Sequence, residues 1–491
     1  MSHGLAAGAA SLAPSTHWVP LTIVGLYIAL LFVITWWAQR LTERGGGGMV
    51  GYLLAGRRLP ATVAAALLAG LAVGGASTIG VAEQAYRKGI SAGWYNAAWA
   101  AGALVMGLGA ARRYRRLEIT TLPELFERVY STSGRVLAVI GQLVIQIVVT
   151  SLQYVAGGAI LSSLMPGVFS YRTGMALTAA VFVGITLIGG FWAAGLTNVV
   201  NVIVIYVGIL LGAFLTVGRV GGWQALRARL PAEHPGFDLL AVGPWVILAW
   251  FLVMITMAHS TQSVIQIGFA AKDERAAGRA YLLGALIIAP VGFVSAVIGM
   301  AAAVLYPGIV AAEALPRAVL DLSPLAAGLV LSGLWAADVS TASALLVGSA
   351  TLVSTDIVKR FFVRELSPER EQRLCRLTVL GISVVTFLLA LAVRGILEML
   401  LVGLTLSTAY TLVVLMTMYW PAACRRSSAT WTTAATMLTL GAWLVAPASW
   451  RLVAHPIYLT WPVSLVTFFA VALFDRRRIE VARATGPARP S

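Results

Sequence analysis

The chain has 491 residues, of which 59% are hydrophobic and 11% charged, and its mean hydropathy is +0.87. Soluble domains carry about 25% charged residues, so this composition excludes a soluble protein. The formal net charge of +16 reads as basic cytoplasmic loops and attraction to anionic lipid at the cytoplasmic face, with no nucleic-acid partner.

Taken in chain order, thirteen apolar segments have the length of about 20 residues that spans a bilayer. They lie near 20–40, 59–84, 92–111, 137–160, 173–190, 195–218, 241–268, 280–306, 323–355, 377–393, 396–420, 428–447 and 456–475. Basic clusters at Arg112, Arg113, Arg115 and Arg116, at Lys359 and Arg360, at Arg425 and Arg426, and at Arg476 to Arg478 fall on alternate gaps. Lys and Arg are about threefold more abundant on that set of loops, which places the N-terminus outside and the C-terminus in the cytoplasm. The expected organisation is an extracytoplasmic tail (1–19), a single transmembrane domain (20–475) and a short basic cytoplasmic tail (476–491), in the cell membrane. The first segment is long enough to span and lacks a basic flank before it, so it reads as a retained helix rather than a cleaved signal. Gly45 to Gly48 reads as a flexible linker, with no phosphate-binding Lys-Ser/Thr after it. Cys375 and Cys424 both fall near cytoplasmic ends, against a disulfide. The histidines at 3, 17, 234, 259 and 455 show no metal-ligand spacing.

Halfway along the second segment runs Ala69-Gly-Leu-Ala-Val-Gly-Gly-Ala-Ser-Thr78. Each glycine costs about 1 kcal/mol in a helix interior, so this cluster predicts a break. A break frees backbone carbonyls, hard oxygen donors suited to a small hard cation. Close helix packing through the Gly70/Gly74 pair is the competing reading. The seventh segment carries Thr256, His259, Ser260, Thr261, Gln262, Ser263 and Gln266, a polar stretch that predicts an unwound segment beside a water-filled cavity. In the ninth, Ser340 and Thr341 sit at mid-membrane beside Asp338. Hydroxyls there either coordinate a cation or bond back to their own backbone. A charged residue at that depth costs roughly 2.5–3.5 kcal/mol. Asp338 is therefore a candidate ligand, proton carrier or counter-charge for a cationic substrate, against a protonated acid bonded to a neighbouring helix.

Several stretches, in order from about residue 20 to 420, resemble the sodium/solute symporter family, which carries sugars, amino acids, vitamins and monocarboxylates. They are Tyr52-Leu-Leu-Ala-Gly-Arg-Arg-Leu-Pro60, Ala85-Tyr86 with Gly89-Ile-Ser-Ala-Gly-Trp-Tyr95, and the set Arg116, Thr121, Pro123, Glu124 and Arg128. They continue with Gly189-Gly-Phe-Trp-Ala193, then Ala336-Ala337 with Ser340-Thr341-Ala342, and Asp356-Ile-Val-Lys359. The resemblance implies an all-α polytopic membrane protein with the five-plus-five inverted-repeat (LeuT-type) transporter fold. Its repeats fall at 59–218 and 241–420, with one helix before (20–40) and two after (428–475). It also implies a sodium site of Gly70, Val73, Ala337, Ser340 and Thr341, no further metal and no cofactor, with sodium as the coupling ion. The chain departs from the family at Asn198 and Asn201, where an acid and a glutamine are usual, at Ile267 in place of an arginine, and at Asp338 in place of an apolar residue.

Residues expected to line the substrate path or couple it to the ion are Gly74, Ser77, Gln146, Gln153, His259, Gln262 and Asp338. Further polar lining is expected from Gln142, Tyr154, Thr405, Ser407, Thr408 and Tyr410. With no Lys or Arg at central depth, the lean is towards a zwitterionic, cationic or neutral small organic solute. The leading expectation is sodium-coupled symport into the cytoplasm by alternating access, without enzymatic activity. The alternatives are proton coupling through Asp338 and His259, or a transporter-like sensor subunit with a separate signalling partner. An intramembrane enzyme and a channel fit less of the pattern, and the residues leave solute, stoichiometry and oligomeric state open.

Overall fold

The computed structural model describes residues 18–480 apart from 45–47, 165–168, 364–365, 392–399, 401–402, 448, 450–452 and 454. Most of the two tails, the linker at 45–47 and the start of the segment expected at 396–420 lie outside the described residues. Among those described there is no strand, only isolated bridges between Leu59 and Ala271 and between Arg425 and Arg478.

The first expected span is α1 (Trp18–Arg44). The second is split into α2 (Ala61–Ala72), a π-wound turn over Ala76–Gly80, and α3 (Val81–Lys88). α4 (Trp94–Leu108) follows, and then a short helix, α5 (Leu122–Val129). Its start is set by Thr121, whose hydroxyl accepts from the Glu124 amide at 3.2 Å, while the Glu124 carboxylate accepts from the Thr120 amide at 2.8 Å. This is a capping-box arrangement that satisfies two otherwise orphaned donors. α6 (Thr132–Leu164) is unbroken.

Two segments expected separately, at 173–190 and 195–218, form one helical path, α7 (Tyr171–Val220), which turns at Gly190. Gly190 has φ 56° and ψ −141°, and a Cβ there would meet the Tyr52 carbonyl at 2.5 Å. Glycine is required on both counts. The Gly-Gly signature is thus a hinge between two spans, which sequence alone shows only as a short apolar interruption.

A short α8 (Trp223–Arg229) crosses the next loop. The second split span follows as α9 (Pro244–Ser260) and α10 (Gln262–Ala270). α11 (Glu274–Leu305) begins at Asp273, whose carboxylate accepts from the Ala276 amide at 2.7 Å. α12 (Pro324–Thr351) is buried throughout its central window and continues π-wound to Phe362, further than the expected end at 355. α13 (Pro368–Ala390), α14 (Thr408–Tyr419), α15 (Ser428–Val445) and α16 (Ile457–Phe474) complete the bundle.

Among the described residues seven single helices are long and apolar enough to cross a membrane, and counting each of the two bent pairs as one span brings the number to nine. The bends are 58° between Ala61–Ala72 and Ala76–Leu108 and 48° between α9 and α10. Both fall where the sequence predicts interruption. At the inner end the two split spans are tied together. The Leu59 amide donates to the Ala270 carbonyl at 3.0 Å, and the Lys272 amide to the Leu59 carbonyl at 2.9 Å.

Candidate functional site

α2 ends because Val73 leaves helical geometry (φ −98°, ψ 80°). The last carbonyls of a helix have no partner within it, and here they turn towards α12. Ser340 Oγ lies 2.9 Å from the Gly70 carbonyl and 2.7 Å from that of Ala337. Thr341 Oγ1 lies 2.8 Å from Gly70 O, 3.3 Å from Leu71 O and 3.1 Å from Ala337 O. Each hydroxyl has one proton, against two carbonyl neighbours at Ser340 and three at Thr341. A proton directed to Ala337 on its own helix leaves the hydroxyl lone pairs facing the carbonyls of the break.

The result is a cluster of uncharged oxygens from two helices, the donor set that suits a hard cation. It brings together Gly70, Ala337, Ser340 and Thr341. Val73 forms the break itself and shares no hydrogen bond with α12. The Leu71 carbonyl joins the cluster although nothing in the residue type marks it, because a carbonyl's role depends on where the helix stops. Gly70 also faces Asn198, since a Cβ on it would come within 2.6 Å of the amide. Asn198 accepts from Asn201 at 3.0 Å, and Asn201 in turn accepts from the Tyr27 hydroxyl.

A cavity of about 40 Å³ lies beside the cluster, lined by Gly74, Gln146, Gln153, Thr261, Ser263 and Thr341. Tyr95, Trp99 and Met257 supply its apolar wall, and Tyr95 and Trp99, four residues apart, share one face of α4. Space on this scale holds a few waters, so an organic solute requires the helices to part. Both polar atoms of the Gln146 amide and the Gln153 carbonyl oxygen are buried without a hydrogen bond. A Cβ on Gly74 would fall 2.6 Å from Thr341 Oγ1 and 2.7 Å from Gln153 Oε1, so Gly74 lets the oxygen cluster and the cavity meet.

The other expected residues are placed elsewhere. Ser77 donates to the Ala72 carbonyl at 2.6 Å and closes the end of α2. The His259 ring bonds to the Ile255 carbonyl of its own helix at 2.7 Å, outside the cavity lining. Gln262 accepts from the Leu122 amide at 3.1 Å and donates to the Thr120 carbonyl at 3.0 Å, bracing the loop before α5. Asp338 is fully buried and turned away from the cavity. A Cβ on Gly157 would fall 2.7 Å from its Oδ2, and one on Gly75 would fall 3.4 Å from its Oδ1. Neither oxygen has a hydrogen-bond partner among the described residues. Asp338 and His259 are therefore not brought together.

The second break has another construction. Thr261 is extended (φ −77°, ψ 126°) between α9 and α10, and the amide of Gln142 spans the gap. Its Nε2 donates to the Ser260 carbonyl at 2.5 Å and its Oε1 accepts from the Gln262 amide at 3.0 Å. Tyr114 donates to the His259 carbonyl, and Thr411 donates to the Ser260 hydroxyl at 2.8 Å. Gln142 is thus a brace rather than cavity lining.

Two spans interrupted at mid-depth, one presenting carbonyls to hydroxyls of a buried helix beside an uncharged cavity, define a membrane transporter of the broken-helix class. The sodium:solute symporter family model matches residues 52–434. The chain belongs to that family, whose members are transporters rather than enzymes. The osmoregulated proline transporter OpuE of Bacillus subtilis is 28% identical over 423 residues, covering 81% of this chain and 83% of its own. A sodium/proline symporter of Staphylococcus aureus is 22% identical, covering 77% and 76%. Among solved structures, a Na+-coupled sialic acid symporter in its substrate-bound outward-open state superposes with a TM-score of 0.79 at 16% identity, over 94% of this chain and 98% of its own. Mhp1, a nucleobase-cation-symport-1 family transporter, superposes with a TM-score of 0.61 at 15% identity, over 85% and 92%.

Proposed function

We propose that this protein is a secondary active transporter that couples sodium entry to uptake of a small organic solute into the cytoplasm. The observation that carries the reading is the placement of Ser340 Oγ and Thr341 Oγ1 at 2.9 and 2.8 Å from the Gly70 carbonyl. In this reading the ion is held by Gly70, Leu71, Val73 and Ala337 carbonyls and the two hydroxyls. The topology is thirteen spans in two inverted five-helix repeats, N-terminus outside and C-terminus inside. Because the ion joins the broken helix to α12, its binding favours one arrangement of the two repeats and raises solute affinity in it. Release inward follows when the repeats rock.

The solute is proposed to be small and net neutral, with an apolar body, a description that fits the proline named for the relatives. The cavity lining contains no charged residue. Gln146 offers a free amide group and Gln153 a free carbonyl oxygen, its NH2 being bonded to the Val149 carbonyl, and Tyr95 and Trp99 offer faces for an apolar ring. A solute carboxylate is matched by the start of α10 at Thr261 and Ser263, where the helix dipole is positive.

The test is thermal stability of purified protein titrated with sodium, against potassium and choline at fixed ionic strength. A ligand that binds only the native state stabilises it by about 2.7 kcal/mol at 100 times its Kd. The expected result is a sodium-selective rise that is lost in Ser340→Ala/Thr341→Ala. No selective rise overturns sodium coupling. A selective rise with solute binding but no net flux in proteoliposomes turns the reading to a sensor.

A further inference from the structure

At the inner end of the bundle, away from the transport path, a second hollow has no part in the reading above. Its space is about 590 Å³, far larger than the central cavity, and its wall includes Ser131, Thr132, Ser133, Thr430, Arg426 and Arg477. The starts of two long helices, α6 and α15, meet there, joined by the Ser131 and Thr430 hydroxyls at 3.2 Å. Both present their positive dipole ends to the same space.

The carboxylates at this site are already engaged. Glu127, on the wall, is held by Arg360 at 2.8 Å and Arg135 at 2.5 Å, and those guanidinium groups press its carboxyl down to about 2. Asp475 accepts from the Ser427 hydroxyl at 2.6 Å and from Arg477 Nε at 3.1 Å. Arg426 is exposed, and its guanidinium makes no hydrogen bond or ion pair among the described residues. The local balance is therefore positive, with one uncommitted guanidinium, while the Thr132 and Ser427 hydroxyls already donate to Glu127 and Asp475 and the Ser131–Thr430 pair keeps one proton to offer.

A contiguous hollow of about 330 Å³ shares Ser427, Trp431 and Arg477 and continues over Val471 and Phe474. Trp431 is 61% exposed and Phe474 86%. Polar donors and an arginine at one end, an apolar track with an interfacial tryptophan at the other, match one kind of molecule. It has an anionic head and hydrocarbon tails, and it is present wherever a membrane protein is.

We propose that this hollow is a binding site for an anionic phospholipid. The headgroup phosphate sits between Arg426, Arg477 and the hydroxyls at the start of α6, and an acyl chain runs past Trp431 and Phe474. The lipid would tie α6, which carries Gln142, Gln146 and Gln153, to the peripheral pair α15 and α16. The proposal draws on the transport reading only in taking this face as cytoplasmic. Binding to purified protein is measured without reference to orientation or coupling, so either can fail alone.

The test is native mass spectrometry of the delipidated full chain with dioleoylphosphatidylglycerol, dioleoylphosphatidylcholine and, separately, inorganic phosphate. Phosphatidylglycerol is expected to bind about fivefold more tightly than phosphatidylcholine, the preference one uncommitted interfacial arginine supplies. Arg426→Gln/Arg477→Gln should abolish that preference, and the exposed single change Arg426→Gln should reduce it while leaving the fold intact. The control Arg219→Gln, on α7 and outside the lining of both hollows, should not alter it. Equal binding of the two lipids, or a preference that survives in the double variant, overturns the site. Inorganic phosphate that displaces the lipid at equal concentration also overturns it, because the acyl track then contributes nothing.

Discussion

The two interrupted spans bend by similar angles and are built from opposite materials. At Val73 the break lies among glycines, and its freed carbonyls face two hydroxyls and few braces. At Thr261 there is no glycine, and Gln142, Tyr114 and Thr411 from three neighbouring segments occupy the groups that the break exposes. A buried backbone polar group must be paired or lose about 1–3 kcal/mol. The first break therefore leaves its oxygens facing two hydroxyls, whereas the second is locked to the surrounding helices. In the proposed function the first binds the ion and the second holds shape.

Three substitutions and one titration test that contrast. The largest effect is expected from Ser340→Ala/Thr341→Ala, which removes two of the oxygens facing the first break. Sodium half-saturation in a stability titration or uptake assay should rise about 100-fold or more, taking each lost contact as about 1.5 kcal/mol. Melting in choline should hardly move. The converse is expected of Gln142→Leu, which strands the Ser260 carbonyl and the Gln262 amide. It should destabilise the fold by about 2–4 kcal/mol, read as a lower melting temperature, with sodium half-saturation changed less than about threefold. If both variants shift both readouts alike, the two breaks do not have separate roles.

Gln146→Leu probes the space between the breaks. Solute affinity should fall about tenfold, the loss of one buried polar contact, while sodium binding without solute is retained. Sodium affinity falling in parallel would merge cavity and ion site. The smallest effect lies outside the membrane, where the loop before α9 folds over the outer end of α3. His234 Nδ1 accepts from the Gly236 amide at 3.0 Å, which leaves Nε2 to donate to the Ala85 carbonyl at 3.1 Å. Burial lowers its pKa below the ordinary 6.5, opposed by the bond to Ala85. The unfolded state therefore takes the proton first as pH falls. This contribution is complete above about pH 6.5 and declines as pH drops towards the lowered folded value. A shallow loss of melting temperature across that window, absent in His234→Gln, is the expected record.

The first break was legible in residue order because its causes are local, whereas its pairing with Ser340 and Thr341 was implied by the family resemblance. Glycines at 70, 74 and 75 weaken a helix wherever it packs, and hydroxyls at 340 and 341 lie on adjacent positions of one turn. The Gly189-Gly190 signature was visible too, although its purpose as a hinge rests on a positive φ and on the Tyr52 carbonyl beside it. The braces were not legible. Gln142, Gln146 and Gln153 are the same residue type on one helix, yet Gln142 closes a backbone gap while the other two face the cavity.

The sequence by itself determined that this is a membrane protein and where two of its spans are interrupted. Those properties follow from transfer energies and backbone propensities that each residue carries with it. Tertiary structure decided that Asp338 faces Gly157 and Gly75 rather than the cavity, that Gln262 braces a loop, and that two helix starts meet beside Arg426. Each depends on which neighbour covers a given helix face, and that choice belongs to the packed bundle rather than to any one segment.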